Sequence, residues 1–201
     1  MDIALAFDID DVITETSGPL LDAMEKYGEG IDFNDPRTSK KEILRGRAAT
    51  PEVKAFFRKY GTELCRGAKL KEGADIVIRE LKRRGLLIHL ITSRDERLMP
   101  GVSQATEDFF AEKDIPYDGL HMGVHDKKEL CERLGIVSLT DDSIDTCRSL
   151  IGSKTTPILF TTQVNAEFDA GSIQRVADWI EVGDAMVNLI KKQIEKEGNE
   201  R

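Results

Sequence analysis

The sequence predicts an α/β fold: a doubly wound, Rossmann-like parallel sheet with a small helical insertion. Three observations carry this expectation. Short apolar runs bounded by polar or turn residues recur along the chain, as buried strands do. Amphipathic stretches of helical length separate most of them, the spacing that parallel strands require. One stretch, Thr14 to Lys71, breaks the alternation with helical patterns and no convincing strand.

In chain order, Ile3 to Phe7 reads as the first strand. Inside the insertion, Pro19 to Tyr27 and Lys40 to Arg47 read as helices joined by the turn-rich linker GEGIDFNDPRTS. Thr50-Pro51-Glu52 is a helix start, with Thr as N-cap and Pro at the first helical position. Val53, Phe56, Phe57, Tyr60 and Leu64 then follow at helical spacing. Glu72 to Arg84 predicts a helix ended by Gly85, and Leu86 to Ile91 a second strand. Strands are expected at Gly119 to Val124, Ile136 to Leu139 and Pro157 to Thr161, with helices at Val102 to Lys113, Lys127 to Leu134 and Ser143 to Ile151. Asp184 to Lys196 is a final amphipathic helix that fades into the charged EKEGNER. The expected division is a core of residues 1–14 and 72–201 and an insertion of residues 15–71.

Composition narrows the function classes. The 201 residues are 40% hydrophobic and 33% charged, too apolar for a disordered chain. No run of eighteen apolar residues predicts a membrane span, and the acidic start does not resemble a signal peptide. The net charge of −8 argues against a nucleic-acid polymer as partner, though not against a small phosphate ligand held through a metal. Cys65, Cys131 and Cys147 are widely spaced, which predicts reduced, buried thiols and a cytoplasmic setting. His121 and His125 lack the context of a metal site.

In an open parallel sheet, ligands bind beyond the carboxyl ends of the strands. The proposed strands end in Asp8-Ile9-Asp10-Asp11, in Thr92-Ser93-Arg94, in His125-Asp126-Lys127-Lys128 and in Thr140-Asp141-Asp142. Packed carboxylates repel one another, so such an edge calls for a cation, and all-oxygen donors point to Mg²⁺. A carboxylate beside such an ion can attack phosphorus, and a second acid two residues on can serve as general acid and base. These residue types fit phosphoryl transfer through a covalent intermediate.

The same segments resemble the four motifs of the haloacid dehalogenase (HAD) superfamily. Ala4-Leu5-Ala6-Phe7-Asp8-Ile9-Asp10-Asp11-Val12-Ile13 is similar to the first, Leu90-Ile91-Thr92-Ser93-Arg94 to the second, Lys127 in KKELCERLGI to the third and Leu139-Thr140-Asp141-Asp142-Ser143-Ile144-Asp145 to the fourth. They occur in order and cover nearly the whole chain. The resemblance implies Asp8 as nucleophile and Asp10 as general acid and base. It implies Thr92, with Ser93, as phosphate-binding hydroxyls, and Lys127, with Lys128 as its competitor, as the phosphate-steadying cation. Mg²⁺ would lie between Asp8, the backbone carbonyl of Asp10, Asp141 and Asp142. Asp145 would orient neighbours, and Arg94 would touch substrate or pair with Asp95 or Glu96. Asp11 and Thr140 stand where the family more often has glycine.

The insertion after the first motif resembles a C1-type helical cap. The paired Asp141-Asp142, Asn165 and the segment Arg175-Val176-Ala177-Asp178-Trp179-Ile180-Glu181 resemble the 5′(3′)-deoxyribonucleotidase (cytosolic type C) branch. The expected activity is therefore a Mg²⁺-dependent phosphatase of (deoxy)nucleoside monophosphates. Phe33, Phe56, Phe57 and Tyr60 would be available to stack on a base, and Arg45, Arg47 and Arg58 to meet its edge or the ribose. The alternatives are a phosphatase of another small metabolite, such as a sugar phosphate or phosphoglycolate, and a low-turnover binding or regulatory protein. The expected partner is a small phosphorylated metabolite, with a homodimer left open.

Overall fold

Asp8, Asp141 and Thr92 come to one edge because three strands run parallel and in register. The computed structural model describes residues 3–47 and 49–199. Among these, β1 (Ala4–Phe7), β4 (Leu87–Ile91), β5 (Gly119–His121), β6 (Ile136–Asp141), β7 (Thr156–Phe160) and β8 (Gln174–Val176) form a parallel sheet in the order β5-β4-β1-β6-β7-β8. Phe7 lies opposite Leu90 on one side and Thr140 on the other, so the residues just past them emerge level at the carboxyl edge. The order reverses at β1, the topological switch point where open α/β sheets bind ligands.

Helices α5 (Ala74–Arg83), α6 (Val102–Glu112), α7 (Lys127–Leu134), α8 (Ile144–Ser149) and α9 (Trp179–Asn199) flank the sheet. One apolar cluster places Leu5, Phe7, Ile88 and Ile158 against Ile78, Phe110, Trp179 and Met186. A second, on the opposite face, sets Ala4, Ala6 and Leu139 against Leu130 and Cys131. Residues on both faces of β1 are wholly or nearly buried, which explains its unbroken apolar run. The expected parallel sheet is observed. All three cysteines are free and buried, and no helix among the described residues is long and apolar enough to cross a membrane.

Some boundaries differ from expectation. The Thr14-to-Lys71 stretch is not free of strand: β2 (Thr14–Glu15) and β3 (Lys69–Leu70) pair antiparallel where the insertion leaves and rejoins the sheet. Two residues each are too few to show a period. The last helix begins earlier than the expected Asp184: Val176 ends β8 and Trp179 opens α9. Residues 200–201 of the charged tail lie outside the described residues.

Between β2 and β3 lie α1 (Ser17–Tyr27), α2 (Lys40–Leu44), α3 (Pro51–Phe56) and α4 (Thr62–Arg66), the last two joined by a π-helical turn, Phe57–Gly61. Thr50 caps α3 as its sequence implies, its hydroxyl accepting Val53 N–H at 3.5 Å. Leu20, Met24, Ile43, Val53 and Phe56 make this insertion's own apolar cluster. Tyr27 stacks on Tyr60, and Phe56 tilts against Tyr60. The insertion meets the sheet domain along α4 and α6, where Cys65 packs on Met99 and Val102. Gly61 is required there, because a Cβ would stand 2.6 Å from the Met99 side chain.

Candidate active site

Asp8 follows β1, and its N–H donates to Thr140 O at 2.9 Å, which locks it beside β6. Lys127, in the first turn of α7, bridges Asp8 Oδ1 and Asp141 Oδ2 at 2.7 Å each. Lys127, not Lys128, thus occupies the centre. The loop before α7 is fastened to the end of β4 by Gly123 N–H to Arg94 O and Val124 N–H to Thr92 O. That fastening aims Lys127 inward. Asp141 also accepts Ser143 N–H through Oδ1 at 2.8 Å.

Asp8, Asp141 and Asp142 each offer a carboxylate oxygen, and these oxygens lie within 4.8 Å of one another. Burial, together with repulsion from Asp141 and Asp10, pushes the Asp8 carboxyl up to about 7 despite the opposing pull of Lys127. Burial and the neighbouring Asp141 and Asp8 also push Asp142 well above the usual range. Burial disfavours the Lys127 ammonium, but Asp141 and Asp8 outweigh it and raise its proton affinity. Three carboxylates therefore share one ammonium. This hard oxygen donor set, with surplus negative charge, fits a small divalent cation that keeps some of its water.

Asp10 faces the opposite way. Its carboxylate receives Arg94 Nη2–H on Oδ1 at 2.8 Å, Arg94 Nε–H on Oδ2 at 3.0 Å and the Thr16 hydroxyl on Oδ1 at 2.9 Å. Burial opposes ionisation here, but the Arg94 guanidinium and these bonds prevail and hold the carboxyl below its usual value. Arg94 is itself buried and neither pairs with Asp95 nor reaches Glu96; those acids serve Arg97 and the backbone at Gly101 and Ser103.

The two hydroxyls of the second motif divide. Thr92 is fully buried, and its Oγ1 accepts Arg94 N–H at 3.2 Å. Ser93 is exposed and lines the cavity that Asp8, Asp10, Lys127, Asp141 and Asp142 also line. The reachable hydroxyl in this arrangement belongs to Ser93. The cavity, about 450 Å³, is also lined by Leu20, Ile43, Leu44, Val53, Phe57 and Leu64 of the insertion.

Asp11 has φ 58°, the left-handed region that explains why glycine is common at this position. Aspartate tolerates it, and here its side chain accepts the N–H groups of Thr16 and Ser17 and the Ser17 hydroxyl. It thereby does the capping of α1 that Thr16, committed to Asp10, does not. Thr140 has a buried hydroxyl without a partner among the described residues.

Asp145 turns from the carboxylate cluster to the insertion, where it pairs with Arg45 at 3.3 Å and with Arg47. Lys41 and Arg45 lie over the Phe168 ring. The arginines expected to meet a base are thus partly engaged, and Arg58 is exposed and absent from the cavity wall. Of the four aromatic residues expected to stack, only Phe57 lines the cavity. Phe33, Phe56 and Tyr60 pack the insertion.

Sequence reasoning singled out Asn165 and Arg175 without seeing their role. Asn165 donates to Asp142 O and Phe160 O at 2.7 Å, and Arg175 holds Asn165 through its Oδ1 and O. Together they fix the Asp142 backbone. Trp179 is core, as its spacing suggested, and its Nε1–H donates to Val12 O at 2.8 Å.

The sequence matches no family model and no curated protein. Solved structures do match, and they show the fold: the chain has the α/β fold seen in HAD-superfamily hydrolases. It is similar to a HAD-superfamily hydrolase from Ehrlichia chaffeensis, with 14% identity, TM-score 0.55 and coverage of 94% of this chain and 99% of that one. CbbY from Rhodobacter sphaeroides, solved with xylulose-(1,5)bisphosphate, is 17% identical with TM-score 0.64 over 91% and 97% of the two chains. A predicted phosphoglycolate phosphatase from Haemophilus somnus is 14% identical with TM-score 0.60 over 92% and 98%.

Proposed function

We propose that this protein is a Mg²⁺-dependent phosphomonoester hydrolase acting on a small phosphorylated metabolite through an aspartyl-phosphate at Asp8. The observation that carries the reading is the buried Lys127 bridge between Asp8 and Asp141, with Asp142 alongside, in a cavity that the insertion helps to line. Proteins of similar fold include CbbY, solved with xylulose-(1,5)bisphosphate, and a predicted phosphoglycolate phosphatase, which supports small sugar phosphates or phosphoglycolate over nucleotides. The loss of most of the expected aromatic platform to packing supports the same choice.

Asp8, Asp141 and Asp142 would hold the cation, joined by the Asp10 carbonyl. Bound there, Mg²⁺ supplies charge neutralisation and a fixed orientation for the phosphoryl oxygens. Lys127 occupies Asp8 Oδ1, which leaves Oδ2 to attack. As the Asp8–phosphorus bond forms, the ester P–O bond breaks and the leaving oxygen takes a proton from Asp10. A phosphate dianion next to Asp10 raises its proton affinity and equips it for that step. Water then attacks phosphorus and gives its proton to Asp10 as the Asp8–phosphorus bond breaks, releasing inorganic phosphate. Ser93 donates to a phosphoryl oxygen, and Thr92 braces the loop behind it. The insertion acts as a cap that keeps bulk water out.

Phosphate release from phosphoglycolate, glucose 6-phosphate, dUMP, dTMP and UMP tests the reading, with and without EDTA. A small-metabolite phosphate should lead in kcat/KM by tenfold, about 1.4 kcal/mol of differential transition-state binding. A tenfold lead for a nucleotide returns the protein to the nucleotidase reading, and release unaffected by EDTA removes the cation.

A further inference from the structure

Arg94 follows β4 and borders the cavity, yet its side chain is only 2% exposed. It spends three N–H groups inside the protein. Two go to Asp10, as above, and Nη1–H goes to Thr106 Oγ1 at 3.0 Å. Thr106 is wholly buried on α6, and its own hydroxyl proton goes to Val102 O at 2.7 Å. The hydroxyl therefore has a fixed direction: it gives its proton to the helix and turns a lone pair to Arg94. Guanidinium and threonine make a two-point brace from α6 to the Asp10 carboxylate.

An ionised carboxylate has about four lone-pair positions, two on each oxygen. Thr16 and Arg94 Nη2 occupy both on Asp10 Oδ1, and Arg94 Nε occupies one on Oδ2. A single acceptor position remains, on Oδ2. We propose that Arg94, braced by Thr106, is a positioning residue that selects this one oxygen of Asp10 for proton exchange with the leaving group and with water. The inference rests on the phosphatase reading, in which Asp10 carries that proton. A planar fork sets both the rotation and the tilt of a carboxylate, which a single lysine donor cannot do. Without the fork, the Thr16 hydroxyl on Oδ1 is the one hydrogen bond left to orient the Asp10 carboxylate.

The test compares steady-state constants of Arg94→Ala, Arg94→Lys, Thr106→Val and Asp10→Asn on the best substrate of the panel, each variant checked by thermal melting. Arg94→Ala should lower kcat about a hundredfold, the scale of a misplaced catalytic group, with KM within threefold of the parent. Millimolar guanidinium should restore part of that rate to Arg94→Ala and none to Asp10→Asn. Arg94→Lys should stay at least tenfold slow although its charge is kept. Thr106→Val, which keeps shape and loses only the brace, should fall severalfold in kcat alone, and it decides the matter if Arg94→Ala does not fold. An inactive Asp10→Asn beside Arg94→Lys and Thr106→Val at parental kcat would leave the phosphatase reading standing and overturn the positioning role. A fully active Asp10→Asn would overturn both. A rise in KM with unchanged kcat would make Arg94 a substrate-binding residue and overturn the proposal.

Discussion

Two arginine–carboxylate contacts in this protein look alike on paper and differ in setting. Arg94 and Asp10 meet inside the sheet domain, with the arginine side chain 2% exposed and both carboxylate oxygens engaged. Arg45 and Arg47 meet Asp145 across the boundary between insertion and sheet domain, where the Asp145 side chain is 51% exposed. A buried pair that loses one partner strands a charge and is costly to break. An exposed pair is screened and weak. The difference teaches where the molecule places its rigidity: Asp10 is locked, while the Asp145 contact adds little to the apolar packing that joins the insertion to the sheet domain.

The largest effect is expected inside. Asp8→Asn should lower turnover by roughly 10³-fold or more, because an amide cannot attack phosphorus. The same change should raise the melting temperature in EDTA at pH 7. The carboxyl's folded-state value of about 7 lies above its unfolded one, so the native state holds the proton more tightly. Its contribution is therefore full at low pH and lost as pH rises from near 4 through 7. In EDTA the parent's melting temperature should fall across that window more steeply than the variant's. Equal slopes in a calorimetric pH series would deny the charge strain at Asp8.

Removal of the cation comes next. EDTA should stop phosphate release and Mg²⁺ should restore it, and added Mg²⁺ should raise the melting temperature of the parent more than that of Asp141→Ala. Calorimetry showing equal gains for both would move the cation elsewhere.

The outer contact should matter less. Asp145→Ala should cost under about 1 kcal/mol of stability, the usual ceiling for an exposed pair. Hydrogen exchange at β2 and β3, where the insertion is hinged, should quicken in this variant at low salt and match the parent at high salt. No difference at low salt would show that Asp145 does not fasten the insertion. Smallest of all, Thr140→Val replaces an unpartnered buried hydroxyl by a methyl of the same shape. The melting temperature should rise by roughly 2–4 °C, about 1 kcal/mol for a chain of this size. A fall would mean that the hydroxyl has found a partner.

The interior was the part the sequence disclosed best. Apolar runs such as Ala4–Phe7 and Leu87–Ile91 announce central strands because both their faces are buried. The carboxylates were legible because they stand at strand ends, and Lys127 because its segment resembled the third motif. What escaped depends on directions that spacing does not encode. Nothing in Thr92-Ser93-Arg94 says that the threonine turns inward, the serine outward and the arginine back to Asp10. The three-residue β8 is too short to show a pattern. Asp145 read as part of the fourth motif because its partners, Arg45 and Arg47, lie about a hundred residues away in the chain. The aromatic residues of the insertion looked like a ligand platform because a ring offers the same face to a base as to another ring.

The indole bond to Val12 has a consequence for synthesis. It joins residues 167 positions apart, and Trp179 also lies 5.3 Å from the Phe7 ring, just before the nucleophile. On the ribosome, the loop that carries Asp8 and Asp10 is made long before the indole that supports it. Until that indole emerges, the chain holds β1 without the helix that covers it. Contacts of such long sequence separation form slowly. A chain that lacks Trp179 therefore has every carboxylate of the centre but not the indole that steadies the loop carrying two of them.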